Sequence, residues 1–158
     1  MPVAPAVCQS GRVGAQDDAA RRTAERSAAA MWAADRASQA LGMRLGPVGP
    51  GTAVLRMSVR EDMVNGHGIG HGGLTFALAD SAFAFACNSQ GRRTVAAGAE
   101  IAFVAPTRLG DELVATAVER SRAGRDGLYD VTVTVEDRVV ATFVGRSREI
   151  GGHLLDEP

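Results

Sequence analysis

The chain is predicted to fold as an α+β domain in which one long apolar helix packs against a five-stranded, mainly antiparallel sheet. Three observations predict it. The stretch between His71 and Arg92 is almost wholly apolar or small, and Asp80 is its only formally charged residue. Residues 52–60 alternate, with Ala53, Leu55, Met57 and Val59 on one face and Arg56, Ser58 and Arg60 on the other, the signature of a half-buried strand. Four further strand-like runs follow the apolar segment, at residues 94–103, 112–121, 128–135 and 139–147.

Taken in order, residues 1–20 carry few bulky apolar groups and read as a disordered extension. Residues 21–153 form the folded domain, and residues 154–158 a short tail. The Ala- and Arg-rich composition of residues 19–41 favours an extra N-terminal helix, anchored by Met31 and Trp32 and stopped at Gly42. Gly46-Pro47 and Pro50-Gly51 punctuate a loop before the first strand. A glycine-rich loop over residues 61–71 leads into the central helix, about residues 72–88, which ends near Asn88-Ser89-Gln90-Gly91. Arg125-Asp126-Gly127 and Glu136-Asp137-Arg138 are tight turns between strands. Residues 139–144 are apolar on both faces, as a central strand would be. The helix is also apolar nearly all round: Phe76, Ala77, Phe83, Ala84 and Cys87 lie toward Asp80's side, and Leu74, Leu78 and Phe85 toward others. Such a helix is wrapped by its sheet and covered by a second subunit.

Composition narrows the function. A length of 158 residues is one domain, large enough to bury a core without disulfides or a structural metal. A net charge of −1 with one Trp and one Tyr gives neither a basic face nor stacking platforms for nucleic acid. Every basic residue is Arg, so Schiff-base and Lys-base chemistry are excluded. Cys8 and Cys87 are not a disulfide framework. Met1-Pro2-Val3 opens without the basic and apolar regions of a leader, and residues 72–87 are shorter than the roughly 20 residues that span a bilayer. The expectation is a cytoplasmic protein with no membrane or nucleic-acid partner.

Asp80 is the most informative residue. A carboxylate alone on an apolar helix costs folding energy unless something uses it, and burial moves its pKa upward, toward values useful for proton transfer. The same helix begins with His71-Gly72-Gly73, where unpaired N–H groups and the helix dipole favour negative charge. His67 and His71 have a metal-ligand spacing, but they straddle Gly68 and Gly70 in a loop without a third ligand, and no metal is expected. Asn65-Gly66 alone reads as a turn. Arg92-Arg93 reads as a solvated turn that would otherwise suit phosphates, and His153 has no evident partner.

The motifs Asn65-Gly66-His67, His71-Gly72-Gly73, Leu78-Ala79-Asp80-Ser81-Ala82-Phe83-Ala84 and Asn88-Ser89 together resemble the hotdog-fold thioesterases of the PaaI type. The likeness extends through Ile101-Ala102-Phe103, Pro106, Gly110-Asp111, Gly127-Leu128-Tyr129-Asp130-Val131 and Phe143-Val144-Gly145-Arg146-Ser147, over about residues 27–152. It implies a hotdog subunit, a homodimer with a continuous sheet, and a homotetramer of two dimers. It implies hydrolysis of phenylacetyl-CoA or hydroxylated arylacetyl-CoA, with no cofactor because coenzyme A is part of the substrate. Carried over residue by residue, it makes Asp80, Asn65 and Gly72 catalytic and places His71, Gly73, Asn88 and Ser89 against the substrate.

Spacing adds a constraint. Gly72 and Asp80 are eight residues apart, about 12 Å along a helix. A short Asp side chain cannot reach a carbonyl held at Gly72 of the same chain. Two such helices running antiparallel across a dimer axis bring one Gly72 to the other Asp80, with Asp80 acting as general base or as nucleophile. Asn65 orients water or the thioester, and His71 fixes the loop that presents Gly72. Phe76, Phe83 and Phe103 line an acyl pocket or the core. Two rival readings stand beside this one. Asp62 and His67 have the spacing of a hotdog acyl-CoA hydratase, but lack the Asn-Pro-aliphatic run before the histidine and leave Asp80 unexplained. A non-catalytic acyl-CoA-binding sensor needs a DNA-binding module, for which the N-terminal extension is too short.

Overall fold

A computed structural model describes residues 10–155; Cys8, the rest of residues 1–9 and residues 156–158 of the tail lie outside them. The elements are α1 (Ser10–Ala34), α2 (Arg36–Ala40), β1 (Arg44–Gly49), β2 (Thr52–Ser58), a single 3-10 turn (Glu61–Met63), α3 (Gly72–Asn88), β3 (Arg92–Phe103), β4 (Glu112–Ala123), β5 (Asp126–Val135) and β6 (Arg138–His153). The strands form one antiparallel sheet in the order β1-β2-β4-β5-β6-β3, curled around α3. This is the α+β hotdog arrangement. Among the described residues no helix is long and apolar enough to cross a membrane.

The sheet has six strands rather than five. The segment expected to be a loop around Gly46-Pro47 is β1, which pairs only with β2 and shifts register between Leu45 and Val48. Proline cannot donate to a ladder, but at an irregularity in an edge strand no ladder bond is lost. The first turn of the last hairpins also moves: Gly124 and Arg125 turn, and Asp126 already belongs to β5.

The N-terminal helix differs at both ends from residues 19–41. It starts at Ser10, so residues 10–20 are helical rather than disordered, with Asp18, Arg21 and Glu25 at helical spacing on its exposed surface. It stops before Asp35, whose carboxylate accepts from the Ser38 N–H at 3.0 Å and so caps a new short helix. Met31 and Trp32 pack on the core as expected, the Trp32 ring 6.1 Å from that of Phe85.

The inner sheet face meets α3 through Leu55, Met57, Leu113, Val131, Val133 and Phe143, all buried. Phe83 lies in this core, its ring 5.4 Å from Tyr129 and 5.8 Å from Phe143, and Phe76 stands edge-on to Phe143. A Cβ at Gly145 of β6 would come within 2.8 Å of the Phe83 ring. The bare glycine therefore lets the helix seat on the sheet. Gly145→Ala is expected to cost about 1–3 kcal/mol through overpacking, measurable as a lowered urea midpoint.

Two side chains tie down the far end of α3. Asn88 donates from Nδ2 to the Ala84 and Thr94 carbonyls (both 2.9 Å) and accepts at Oδ1 from the Thr94 N–H (2.9 Å), fixing the start of β3. Ser89 donates to the Ala86 carbonyl and accepts from the Gly51 N–H, both at 2.8 Å, fixing the β1–β2 turn. On the open side of the sheet, β3 is hydrogen-bonded only to β6, and none of its residues is buried.

Candidate active site

The site is built where the loop before α3 meets the segment after β3. Residues 64–70 fold back on themselves, closed by the Val64–Gly70 bridge and by the Asn65 N–H to the Ile69 carbonyl (2.8 Å). Asn65 holds the turn with its side chain as well, its Oδ1 accepting from the His67 N–H at 2.9 Å. The turn reading of Asn65 is therefore satisfied: the oxygen organises the loop, and among the described residues nothing engages the NH2 group. The Gly70 N–H donates to the Thr107 carbonyl at 2.8 Å, and a Cβ on Gly70 would collide with the Thr107 hydroxyl. This glycine welds the loop to the segment after β3.

His71 caps α3. Its backbone is extended (φ −67°, ψ 123°), its carbonyl accepts from the Leu74 N–H at 2.9 Å, and its Nδ1 accepts from the Gly73 N–H at 3.0 Å. An accepting Nδ1 leaves Nε2 as the ring nitrogen free to donate. This settles the two glycines differently. The Gly73 N–H is occupied within its own chain, whereas the Gly72 N–H has no partner among the described residues. Gly72 is also where the Phe103 ring rests, since a Cβ there would lie 2.9 Å from Cζ.

A cleft of about 390 Å³ opens over this point, lined by Asn65, Gly72, Thr75, Phe103, Pro106 and Val140 among others. Phe103 is 58% exposed and forms its aromatic wall, so of the three phenylalanines weighed for an acyl pocket, Phe83 and Phe76 belong to the core and Phe103 to the cleft. Sequence reasoning passed over Thr75, Val104, Ala105 and Thr107, and named Pro106 only as part of the resemblance. Thr75 stands one turn after Gly72 on the same face, a spacing visible in the sequence.

Asp80 is not in this cleft. It lies half-buried two turns along α3, and desolvation raises its pKa above the usual carboxylate value of 3.8. No hydrogen bond or ion pair reaches its carboxylate among the described residues. The structure thus brings Asn65 and Gly72 together, with His71 and Gly73 beside them, and holds Asp80 apart, as the spacing required.

Asn88 and Ser89 do not line this cleft. They lie about 24 Å along the helix from Gly72, both buried, with their polar groups occupied by the contacts that tie α3 to β3 and to the β1–β2 turn. The resemblance placed them against substrate; within this chain they hold the fold. Asn88→Ala is expected to lose about 2 kcal/mol of stability by stranding the Thr94 N–H, and the loss should appear in the urea midpoint rather than in KM. The hydratase pair fares no better. Asp62 is exposed and held in a two-point contact with Arg60 (3.1 and 3.2 Å), which lowers its pKa, and His67 is exposed as well. Arg92 is paired with Glu149 at 3.0 Å, and the His153 carbonyl accepts from Arg93.

Comparisons with known proteins identify the family. The sequence profile of the thioesterase superfamily matches residues 67–142. The acyl-coenzyme A thioesterase PaaI of Escherichia coli (strain K12) is 43% identical over 132 residues, covering 83% of this chain and 94% of that one. Its solved structure, described as the PaaI protein from the phenylacetic acid degradation operon, superposes with a TM-score of 0.82 over 84% of this chain and 97% of that one. A mutant of the phenylacetic acid degradation protein PaaI from Thermus thermophilus is 38% identical, with a TM-score of 0.71 over 73% of this chain and 100% of that one. With an apolar helix sheathed by its sheet, a free N–H at the helix start and a lone carboxylate two turns on, the chain belongs to the PaaI-type hotdog thioesterases.

Proposed function

We propose that the protein hydrolyses acyl-CoA thioesters to the free acid and coenzyme A, with phenylacetyl-CoA or a hydroxylated arylacetyl-CoA as substrate, at a site shared by two copies of the chain. One observation carries this: α3 presents an unpartnered Gly72 N–H and a desolvated, unpartnered Asp80 that cannot serve the same carbonyl from one chain. The bare β3 edge supports the pairing. A twelve-residue edge strand without proline or lysine is a template for another strand. A β3–β3 contact continues the sheet across a two-fold axis and sets the two α3 helices side by side.

In that arrangement the thioester carbonyl oxygen lies against the Gly72 N–H, helped by the Asn65 amide and the positive end of α3. Asp80 of the other chain then takes a proton from water as it attacks, or attacks the carbonyl itself to give a mixed anhydride that water cleaves. In either route the carbonyl carbon gains an oxygen, the C–S bond breaks, and coenzyme A leaves as a thiolate that needs no strong acid. The group required is an ionised Asp80. The enzyme is proposed to act in the cytoplasm.

The test is thiol release from a panel of acyl-CoAs, with arylacetyl-CoAs turned over fastest. Hydration of an enoyl-CoA without thiol release would favour the hydratase reading, and tight binding of acyl-CoA without turnover the sensor reading; either would overturn the proposal. A dimeric mass in solution is a further requirement, and an active monomer would contradict the shared site.

A further inference from the structure

The lining of the cleft is apolar except at a few points, and one of these is unexplained by the hydrolytic machinery. Thr75 is only 4% exposed and lines the cleft one turn below Gly72. A helical threonine ordinarily returns its hydroxyl to the carbonyl four residues earlier. Here that carbonyl, on His71, takes the N–H groups of Leu74 and Thr75 (2.9 and 3.4 Å), and among the described residues the Thr75 hydroxyl bonds to nothing. The other buried threonine of the cleft, Thr107, is different, because its hydroxyl is packed against the space a Cβ on Gly70 would need. Asp80 leaves α3 on another side, so Thr75 shares the half-site of Gly72 and Asn65.

We infer that Thr75 is a specificity-determining residue whose hydroxyl pairs with an oxygen carried by the acyl group. In the empty cleft water satisfies that hydroxyl. An entering acyl group with Phe103 on its flank displaces the water. A plain ring leaves a buried polar group unpaired, whereas a ring hydroxyl restores the bond. The cleft therefore discriminates against acyl groups that are apolar throughout. The inference rests on this cleft receiving the acyl group of an acyl-CoA.

Binding decides it without turnover. CoA thioethers bearing a phenylethyl or a ring-hydroxylated phenylethyl group cannot be hydrolysed, and their affinities are measured by calorimetry on wild type, Thr75→Val and Thr75→Ser. Wild type is expected to prefer the hydroxylated ligand about tenfold, the order expected of one buried hydrogen bond. Thr75→Val should abolish that preference while binding the plain ligand at least as well, and Thr75→Ser should retain it. An equal preference in wild type and Thr75→Val, or none in wild type, overturns the assignment. Thiol release from the corresponding thioesters is recorded alongside. Its absence in wild type would count against hydrolysis, while the binding ratio would still decide Thr75.

Discussion

Asp80→Asn is expected to lower kcat about 10²–10⁴-fold, the range for loss of a positioned base, and at the same time to raise the melting temperature at neutral pH. The second effect follows from the burial of the carboxylate. Its folded pKa is raised above 3.8 and the cause is desolvation, so the fold prefers the protonated form. Above both the folded and unfolded values the native state carries an ionised, poorly solvated group, and stability is lost. Below the unfolded value the carboxyl is protonated in both states and the loss vanishes. The advantage of the Asn variant should therefore be fully present at neutral pH and should shrink as pH falls through the raised folded value toward 3.8. Activity of the wild type should titrate over the same window, failing on the acid side at a pH above that of an ordinary aspartate. Scanning calorimetry and pH–rate profiles check both; a variant that melts lower than wild type at neutral pH would show that Asp80 stabilises the fold and would remove the argument for its use.

Gly72→Pro is expected to lower kcat about 10²–10³-fold, the loss measured when one oxyanion donor is removed, with α3 intact. Proline at the first helical position deletes the N–H and suits the helix geometry, and the preceding His71 is already in the extended region that proline demands. A Cβ at this position presses on the exposed Phe103 ring, so Gly72→Ala, which keeps the N–H, reports the steric part. Retained activity in the proline variant would exclude the Gly72 N–H as a donor. The two variants also complement each other. A mixed dimer of Gly72→Pro and Asp80→Asn chains holds one site with both defects and one with neither, so random reassembly should recover about a quarter of wild-type activity from two inactive proteins. No recovery from a confirmed mixed dimer would mean that each chain builds its own site.

The central helix was legible in the sequence because its signals are local: an apolar run, a capping residue before two glycines, and polar residues at its end. One alternating strand and four strand-like runs were legible for the same reason, and β1 was hidden because proline marks a loop unless the strand is known to lie at an edge. Asn88 and Ser89 were read toward substrate, yet Asn88 bonds to the start of β3 at Thr94 and Ser89 to Gly51, in a turn that the sequence does not place beside the helix end. The cleft wall was invisible for a related reason. Phe103 and Thr107 lie more than thirty residues along the chain from Gly72 and Gly70 and meet them only in the folded chain, and a single threonine in an apolar helix looks like packing until the space in front of it is known.

The uncovered β3 strand has a kinetic consequence. If catalytic halves meet only when two such edges zip together, the specific rate is a function of enzyme concentration, and dilution switches the catalyst off without unfolding it. A substrate that touches both chains binds the pair and not the single copy, so by mass action it promotes assembly. Progress curves started from dilute enzyme should then show a lag that shortens as acyl-CoA rises. Flux through the reaction would turn on more steeply than a hyperbola allows, although each site acts alone.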